Sequence, residues 1–332
     1  MSGTDGGSGE HPLSTLARPS TQEAESSVKP VWLVTGAAGF LGSNAGLWLG
    51  KQVRRVGQTR TSHPIPNFDD QHVLDLRESR ECRDLVTRVK PNVVLHAAAI
   101  SGHQTCADDP DQAVAVNVRA TQELSEAAKN VGAKFIYIST DSVFSGATGN
   151  YSELDTPDPF SLYGETKLRG ELVAQETSDS SLIVRTNFFG WSRPANRSVL
   201  EFFVNSLRRA QVVEGYPDVV TTSLYVRTLL RYIWCLTERE ESGVVHVASS
   251  DALSKFDYGQ EIARQFELNG SLIAAATDSS KTLMNSRGRN LSLNTDHLAQ
   301  LLGHSAETQL EGIISARKEE SLVKTGLSEG AD

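Results

Sequence analysis

The chain has 332 residues, 22% of them charged and 39% apolar, with a formal net charge of −9. This balance excludes wholesale disorder, and it excludes nucleic acid as the main partner, because phosphate contact takes clustered Lys and Arg. No apolar run nears the roughly 20 residues that span a bilayer, so no membrane partner is expected either.

Residues 1–29 are rich in Gly, Ser, Thr and Glu without apolar periodicity and read as a disordered leader. They lack the basic-then-apolar pattern of a signal peptide. Three cysteines, Cys82, Cys106 and Cys235, stand far apart, which excludes a disulfide framework and argues against a metal site. A cytoplasmic protein without metal is expected. Val31–Thr35 predicts the first strand, followed by three spaced glycines and a helix through about Gln52. Residues 54–58 and 72–74 predict the second and third strands, and residues 77–90 a helix. After Pro91, residues 92–96 predict the fourth strand. Pro110 opens a long amphipathic helix, with Ala113, Val116, Ala120, Leu124 and Ala127 on one stripe. Residues 134–139 predict the fifth strand, 162–175 a helix and Leu182–Arg185 the sixth strand. This rhythm predicts an α/β fold with a doubly wound parallel sheet of the Rossmann type. Helices at 198–209, 224–236 and 256–266, mixed with short strands such as 244–248, predict a smaller C-terminal lobe over the carboxyl ends of the sheet.

Gly36, Gly39 and Gly42 lie between the first strand and the first helix, with Phe40 and Leu41 inside the loop. Such a loop turns tightly, lets a pyrophosphate approach the backbone and places it on the helix N-terminus. The second strand ends without the Asp or Glu that binds the ribose 2′-hydroxyl of NAD. Arg60 stands there instead, suited to the 2′-phosphate of NADP, with a solvated loop arginine as the other reading. NADP(H) is therefore expected ahead of NAD(H). Asp75 and Leu76 close the third strand where an adenine ring would lie, and Ala97 and Ala98 leave room for a flat cofactor beyond the fourth. Tyr163 and Lys167 share one helical face at i and i+4. A cation beside a phenol lowers its pKa toward working pH, so the pair can exchange a proton with a carbonyl or alcohol oxygen. Thr140 ends the fifth strand, where its hydroxyl can reach the same oxygen, and Asn117 sits in the helix between.

These residues, in order and at these intervals, resemble the extended short-chain dehydrogenase/reductase superfamily. Ser139-Thr140-Asp141-Ser142-Val143-Phe144-Ser145-Gly146 and the segment from Arg287 to Asn294 are similar to the dTDP-4-dehydrorhamnose reductase family. The resemblance implies an NAD(P)H-dependent reductase of a nucleotide-linked keto-sugar. In it Tyr163 is the general acid, Lys167 tunes it and holds the nicotinamide ribose, Thr140 polarises the carbonyl, and Asn117 is a structural or proton-relay support. The chain is thereby expected to divide into the leader 1–29, an NAD(P)-binding domain over 30–186 with later contributions, a mainly substrate-binding lobe over 187–317 and, by its composition, a flexible tail over 318–332. Candidate substrate contacts are Asp141, Ser142, Asn187, Trp191 and Arg287. For Trp191 a buried anchor, and for Arg287 a solvated loop cation, stay open.

Departures narrow the chemistry. The related 4,6-dehydratases carry Glu where Ser142 stands, so the elimination acid is missing. The reductases themselves usually carry Tyr at Ser142 and Pro at Gly288, so the sugar pocket has diverged. A sugar-nucleotide 4-epimerase and a non-catalytic subunit similar to the β subunit of methionine adenosyltransferase are the alternatives. A homodimer is left open.

Overall fold

The computed structural model describes residues 28–193, 198–276 and 288–325. Most of the expected leader, the last seven residues of the expected tail, and Arg287 lie outside them.

The first half alternates strand and helix. It runs β1 (Val31–Thr35), α1 (Phe40–Leu49), β2 (Arg54–Thr59), β3 (Asp70–Val73), α2 (Ser79–Val89) and β4 (Val93–His96). Two short helices follow, α3 (His103–Asp108) and α4 (Pro110–Val114), and then α5 (Ala120–Val131), β5 (Lys134–Ile138), α6 (Leu162–Thr177) and β6 (Leu182–Arg185). The second half holds β7 (Phe188–Phe189), α7 (Val199–Arg208), β8 (Val213–Gly215), β9 (Val220–Thr221), β10 (Leu224–Tyr225) and α8 (Val226–Glu238). It continues with β11 (Gly243–His246), β12 (Leu253–Ser254), α9 (Lys255–Gln265), β13 (Ile273–Ala275), α10 (Asp296–Leu302) and α11 (Gln309–Thr325).

Seven strands form one parallel sheet in the order β11-β6-β5-β4-β1-β2-β3. The order reverses between β1 and β4, and the crevice at their carboxyl ends is the usual ligand position of such sheets. Both faces are covered, so the central strands β1, β4, β5 and β6 read as largely apolar runs. Trp32 and Val34 of β1 face one apolar layer and Leu33 the other. In the first layer Trp32 stacks on Trp234 of α8, with ring centroids 5.4 Å apart. The second layer joins the sheet to α2, α5 and α6 through residues such as Leu85, Leu124 and Ala174.

Three elements differ from expectation. Residues 243–246, expected as a strand of the small lobe, extend the main sheet at the β6 edge. The long helix opening at Pro110 is interrupted by one π turn, Ala115–Arg119, between α4 and α5. Helix α11 continues through Lys318 to Thr325, into the stretch expected as a tail. Its acidic residues hold it there: Glu319 pairs with Arg227 of α8 at 2.9 Å, and Glu320 pairs with Arg208 of α7 and with Arg317. The small lobe also carries three two-stranded pairs, β7 with β10, β8 with β13 and β9 with β12.

A buried ion pair ties α6 to the sheet. Arg185 at the end of β6 donates to both oxygens of Glu171, its Nε to Oε1 at 3.0 Å and its Nη2 to Oε2 at 2.8 Å, and both side chains are nearly inaccessible. Removing one partner leaves the other charge buried and unpaired. Arg185→Met is therefore expected to lower unfolding stability by about 3–5 kcal/mol, and Glu171→Met on top of it to recover most of that loss. Urea unfolding of the single and double variants measures both values.

Candidate active site

One cavity of about 940 Å³ runs across the carboxyl ends of the sheet, from the glycine loop to the small lobe. At the cofactor end, Gly36 has φ +65°, and a Cβ there would lie 2.8 Å from the Ala98 Cα. At Gly42 a Cβ would lie 2.3 Å from the Gly36 carbonyl oxygen. Only glycine lets the loop, α1 and the end of β4 converge this closely. Gln58 of β2, which sequence reasoning missed, braces the turn. Its Oε1 accepts from the Gly36 amide at 3.0 Å, its carbonyl accepts from Ala37, and its Nε2 donates to the Leu74 carbonyl.

Helix α1 has no side-chain cap, so its first amides, at Phe40, Leu41 and Gly42, open toward the cavity. Arg60 and Thr61 line it from the end of β2, and both are exposed. Asp75 and Leu76 line it below β3. The Arg77 side chain, hydrogen-bonded to Asp75, holds that carboxyl below its ordinary range. Ala97 and Ala98 complete the floor. A glycine cradle that a Cβ would fill, uncapped helix amides and a cation beyond β2 fit a nicotinamide dinucleotide.

Thr140, Tyr163 and Lys167 line the middle of the same cavity. The N-cap of α6, Ser161, accepts from the Gly164 amide and fixes where the helix begins. Its hydroxyl also meets His103 Nδ1 at 3.0 Å, and the His103 ring stands edge-on to Tyr163 with centroids 5.1 Å apart. Lys167 is buried, and its Nζ sits 3.8 Å from the centroid of the Tyr137 ring. Burial brings its pKa down to about 7, and Glu171 on the next turn opposes that shift.

Asn117 is not among the cavity residues. It lies in the π turn, where its Nδ2 donates to the Ile100 carbonyl and to Thr166 Oγ1 while its Oδ1 accepts from the Ile100 amide. It thus ties the loop after β4 to α6, which fits the structural one of the two supporting roles that the resemblance implies for it. Behind it runs a buried chain. Ala98 N donates to Thr35 Oγ1, Thr35 pairs with His96 Nδ1, His96 Nε2 pairs with Thr121 Oγ1, and Thr121 donates to the Asn117 carbonyl. Burial first, and the Lys167 charge second, bring the His96 pKa down to about 3, so this imidazole is neutral at working pH.

Toward the small lobe, Asp141 is buried and accepts from Thr140 Oγ1 at 3.0 Å, Ser142 Oγ at 3.2 Å and Asn187 Nδ2 at 2.7 Å. Burial pushes its carboxyl upward despite these three donors. Ser223 Oγ donates to Asn187 Oδ1 at 2.7 Å and orients that amide. Lys255, Tyr258, Thr221 and Ser223 also line this end. Nothing local in the sequence marks them, because they come from short strands and a helix start far along the chain.

Trp191 is corrected as a substrate contact. Its indole Nε1 donates to the Ala316 carbonyl at 2.8 Å and its ring packs on Phe266, away from the cavity. It anchors α11. Arg287 lies outside the described residues, and its neighbour Gly288 lines the cavity. Among the described residues no group of three or more His, Cys, Asp or Glu side chains is placed to hold a metal, and no helix is long and apolar enough to cross a membrane.

A parallel sheet of this order, with a glycine loop at its switch point and Thr, Tyr and Lys in one cavity, defines an extended short-chain dehydrogenase/reductase. The chain belongs to the family described as RmlD substrate binding domain, whose pattern matches residues 31–321. It is 29% identical over 280 residues to a probable low-salt glycan biosynthesis reductase of Haloferax volcanii, covering 83% of this chain and 93% of that one. It is also 29% identical over 287 residues to the methionine adenosyltransferase 2 subunit beta of Pongo abelii, covering 81% of each. Among solved structures, a hypothetical dTDP-4-dehydrorhamnose reductase from Sulfolobus tokodaii superposes with a TM-score of 0.75 at 28% identity, covering 85% of this chain and 98% of that one. The dTDP-4-dehydrorhamnose reductase of Bacillus anthracis, solved in complex with NADP, shares the fold with a TM-score of 0.75 at 21% identity, covering 89% and 99%.

Gly42→Ala places a methyl group against the Gly36 carbonyl, a backbone atom that cannot turn aside. The expected result is a loss of about 1–3 kcal/mol in stability together with at least a tenfold weaker hold on NADPH. Thermal unfolding and NADPH fluorescence titration read the two effects.

Proposed function

We propose that this chain is an NADP(H)-dependent reductase of a nucleotide-linked keto-sugar, acting on a 4-keto group. The observation that carries this reading is the convergence of Thr140, Tyr163 and Lys167 in the cavity that also holds the glycine cradle. The reductase relatives support it, and so does Ser142, which stands where an elimination would need an acid.

The bound dinucleotide supplies a hydride to the carbonyl carbon. This chain's residues supply the rest. Tyr163 gives its phenolic proton to the carbonyl oxygen as that oxygen gains charge. Lys167, an ammonium below about pH 7 before ligands add their charge, stabilises the phenolate left behind. Thr140 turns its O–H from Asp141 to the same oxygen, while Asp141, Asn187 and Ser223 hold the adjoining wall in place. Carbonyl, hydride and proton balance to the alcohol, and Tyr163 is reprotonated from solvent.

The second reading is a non-catalytic subunit. What favours it is the identity to the methionine adenosyltransferase subunit, equal to that of the reductase relative. Oxidation of NADPH against a panel of nucleotide-linked 4-keto-sugars separates the two. Turnover of one member supports the reductase. Tight NADPH binding without turnover of any member, together with a co-purifying partner enzyme, supports the subunit.

Within the reductase reading, Tyr163→Phe is expected to lower kcat by about 10²–10⁴-fold while NADPH binding changes less than about twofold. Stopped-flow turnover and fluorescence titration on one preparation check this, and unchanged turnover would reassign the acid. Arg60→Ala is expected to weaken NADPH about tenfold or more and NADH hardly at all, as measured by the ratio of their dissociation constants. Equal losses would move the 2′-phosphate site elsewhere.

A further inference from the structure

Lys167 is a buried cation without a carboxylate partner among the described residues. The oxygens of Glu171, the nearest candidate on its own helix, are taken by Arg185 and by Ser139 Oγ. What meets the Lys167 Nζ instead is the face of Tyr137, 3.8 Å from the ring centroid. Tyr137 lies on β5, fully buried, three residues before Thr140.

The Tyr137 ring is held from several sides. Its hydroxyl donates to the carbonyls of Asn117 and Lys167, at 3.4 and 3.3 Å. Gly170 leaves the space for that hydroxyl, since a Cβ there would lie 2.1 Å from it. His96 packs at a tilt with ring centroids 5.7 Å apart and, being neutral, adds no competing charge.

We propose that Tyr137 is a positioning residue for the proton-transfer pair, its ring face fixing the place of the Lys167 side chain and favouring its charged form. The negative face of an aromatic ring attracts an ammonium, and the attraction grows when water is excluded. The charged and titratable groups around Lys167 are Glu171 and Tyr163 on α6, His96 on β4, Tyr137 on β5 and Arg185 on β6. Arg185 is spent on Glu171, and Tyr163 is the group that Lys167 serves. Burial alone drives the lysine toward its neutral form, and the ring face opposes that drive. The role of Lys167 rests on the reductase reading, but the effect of the ring on its charge does not, so the test needs no turnover.

The test follows the ε-methylene resonance of Lys167 through a pH titration of the full chain with isotope-labelled lysine, assigned by its disappearance in Lys167→Met. Tyr137→Phe keeps the ring face and is expected to leave the midpoint within a few tenths of a unit. Ring-fluorinated phenylalanines at the same position keep the shape while draining the face of charge. They are expected to lower the midpoint stepwise by about one unit in all, a tenfold loss of proton affinity worth about 1.4 kcal/mol. Tyr137→Leu, where it folds, should match the most fluorinated ring. A midpoint indifferent to fluorination overturns the proposal, as does Tyr137→Phe falling as far as Tyr137→Leu, which would assign the effect to the hydroxyl. A chain that turns over no keto-sugar yet shows the stepwise shift keeps this inference and loses only the reductase reading.

Discussion

The Glu171 carboxylate is the joint on which the site depends. It accepts from Arg185 at the end of β6 and from Ser139 at the end of β5, and it projects from α6 one turn beyond Lys167. Three elements are thereby fixed to one another at the carboxyl edge of the sheet. Thr140 follows Ser139 directly, and Tyr163 and Lys167 sit on the clamped helix. Arg185 also lies over the Phe144 ring, 5.1 Å from its centroid, which carries the constraint into the loop after Thr140. A buried ion pair adds little net stability by itself. Here it specifies which helix face meets which strand end.

Charge is distributed against the overall balance. The chain carries −9, yet both ligands of the proposed reaction, a dinucleotide and a nucleotide sugar, are anions. The cavity lining sets against that balance the first amides of α1, Arg60 and Lys167, and Lys255 at the start of α9. Much of the acidity is spent elsewhere. Glu171 and Glu320 are buried against arginines, Glu319 pairs with Arg227, and Asp69 and Asp70 pair with Arg55 and Arg54 at the sheet edge. Of the two aspartates that line the cavity, Asp75 is held by Arg77, and Asp141 stands beside Thr140. Three hydrogen-bond donors surround it, and burial pushes its pKa upward, so its charge costs less there than an unpaired carboxylate would.

The legible part of this molecule was local. The β1 run, the spaced glycines and the Tyr163/Lys167 spacing each report a period or a turn that neighbours in sequence impose. The π turn at Asn117 was not legible, because the stripe Ala113, Val116, Ala120, Leu124 and Ala127 keeps the three- and four-residue spacing of an ordinary helix across it. Asn117 itself was found by its place in the pattern, and its side chain then proved to tie a loop rather than to face the cavity. Trp191 went the same way. An aromatic beside a site suits a ligand or a core equally, and the carbonyl of Ala316, 125 residues later, decided it.

The sequence by itself determined the parallel sheet, the dinucleotide loop and the candidate proton-transfer pair, because each is written within a few residues of chain. Tertiary structure alone decided what surrounds them. It brought Gln58 under the glycine turn, Tyr137 under Lys167, Ser223 behind Asn187, and a seventh strand onto the β6 edge. It also turned the chain past Arg317 into a docked helix, through ion pairs with residues about 90 to 110 positions earlier. These contacts join residues far apart along the chain, and burial, close approach and shared charge, rather than any local pattern, select them.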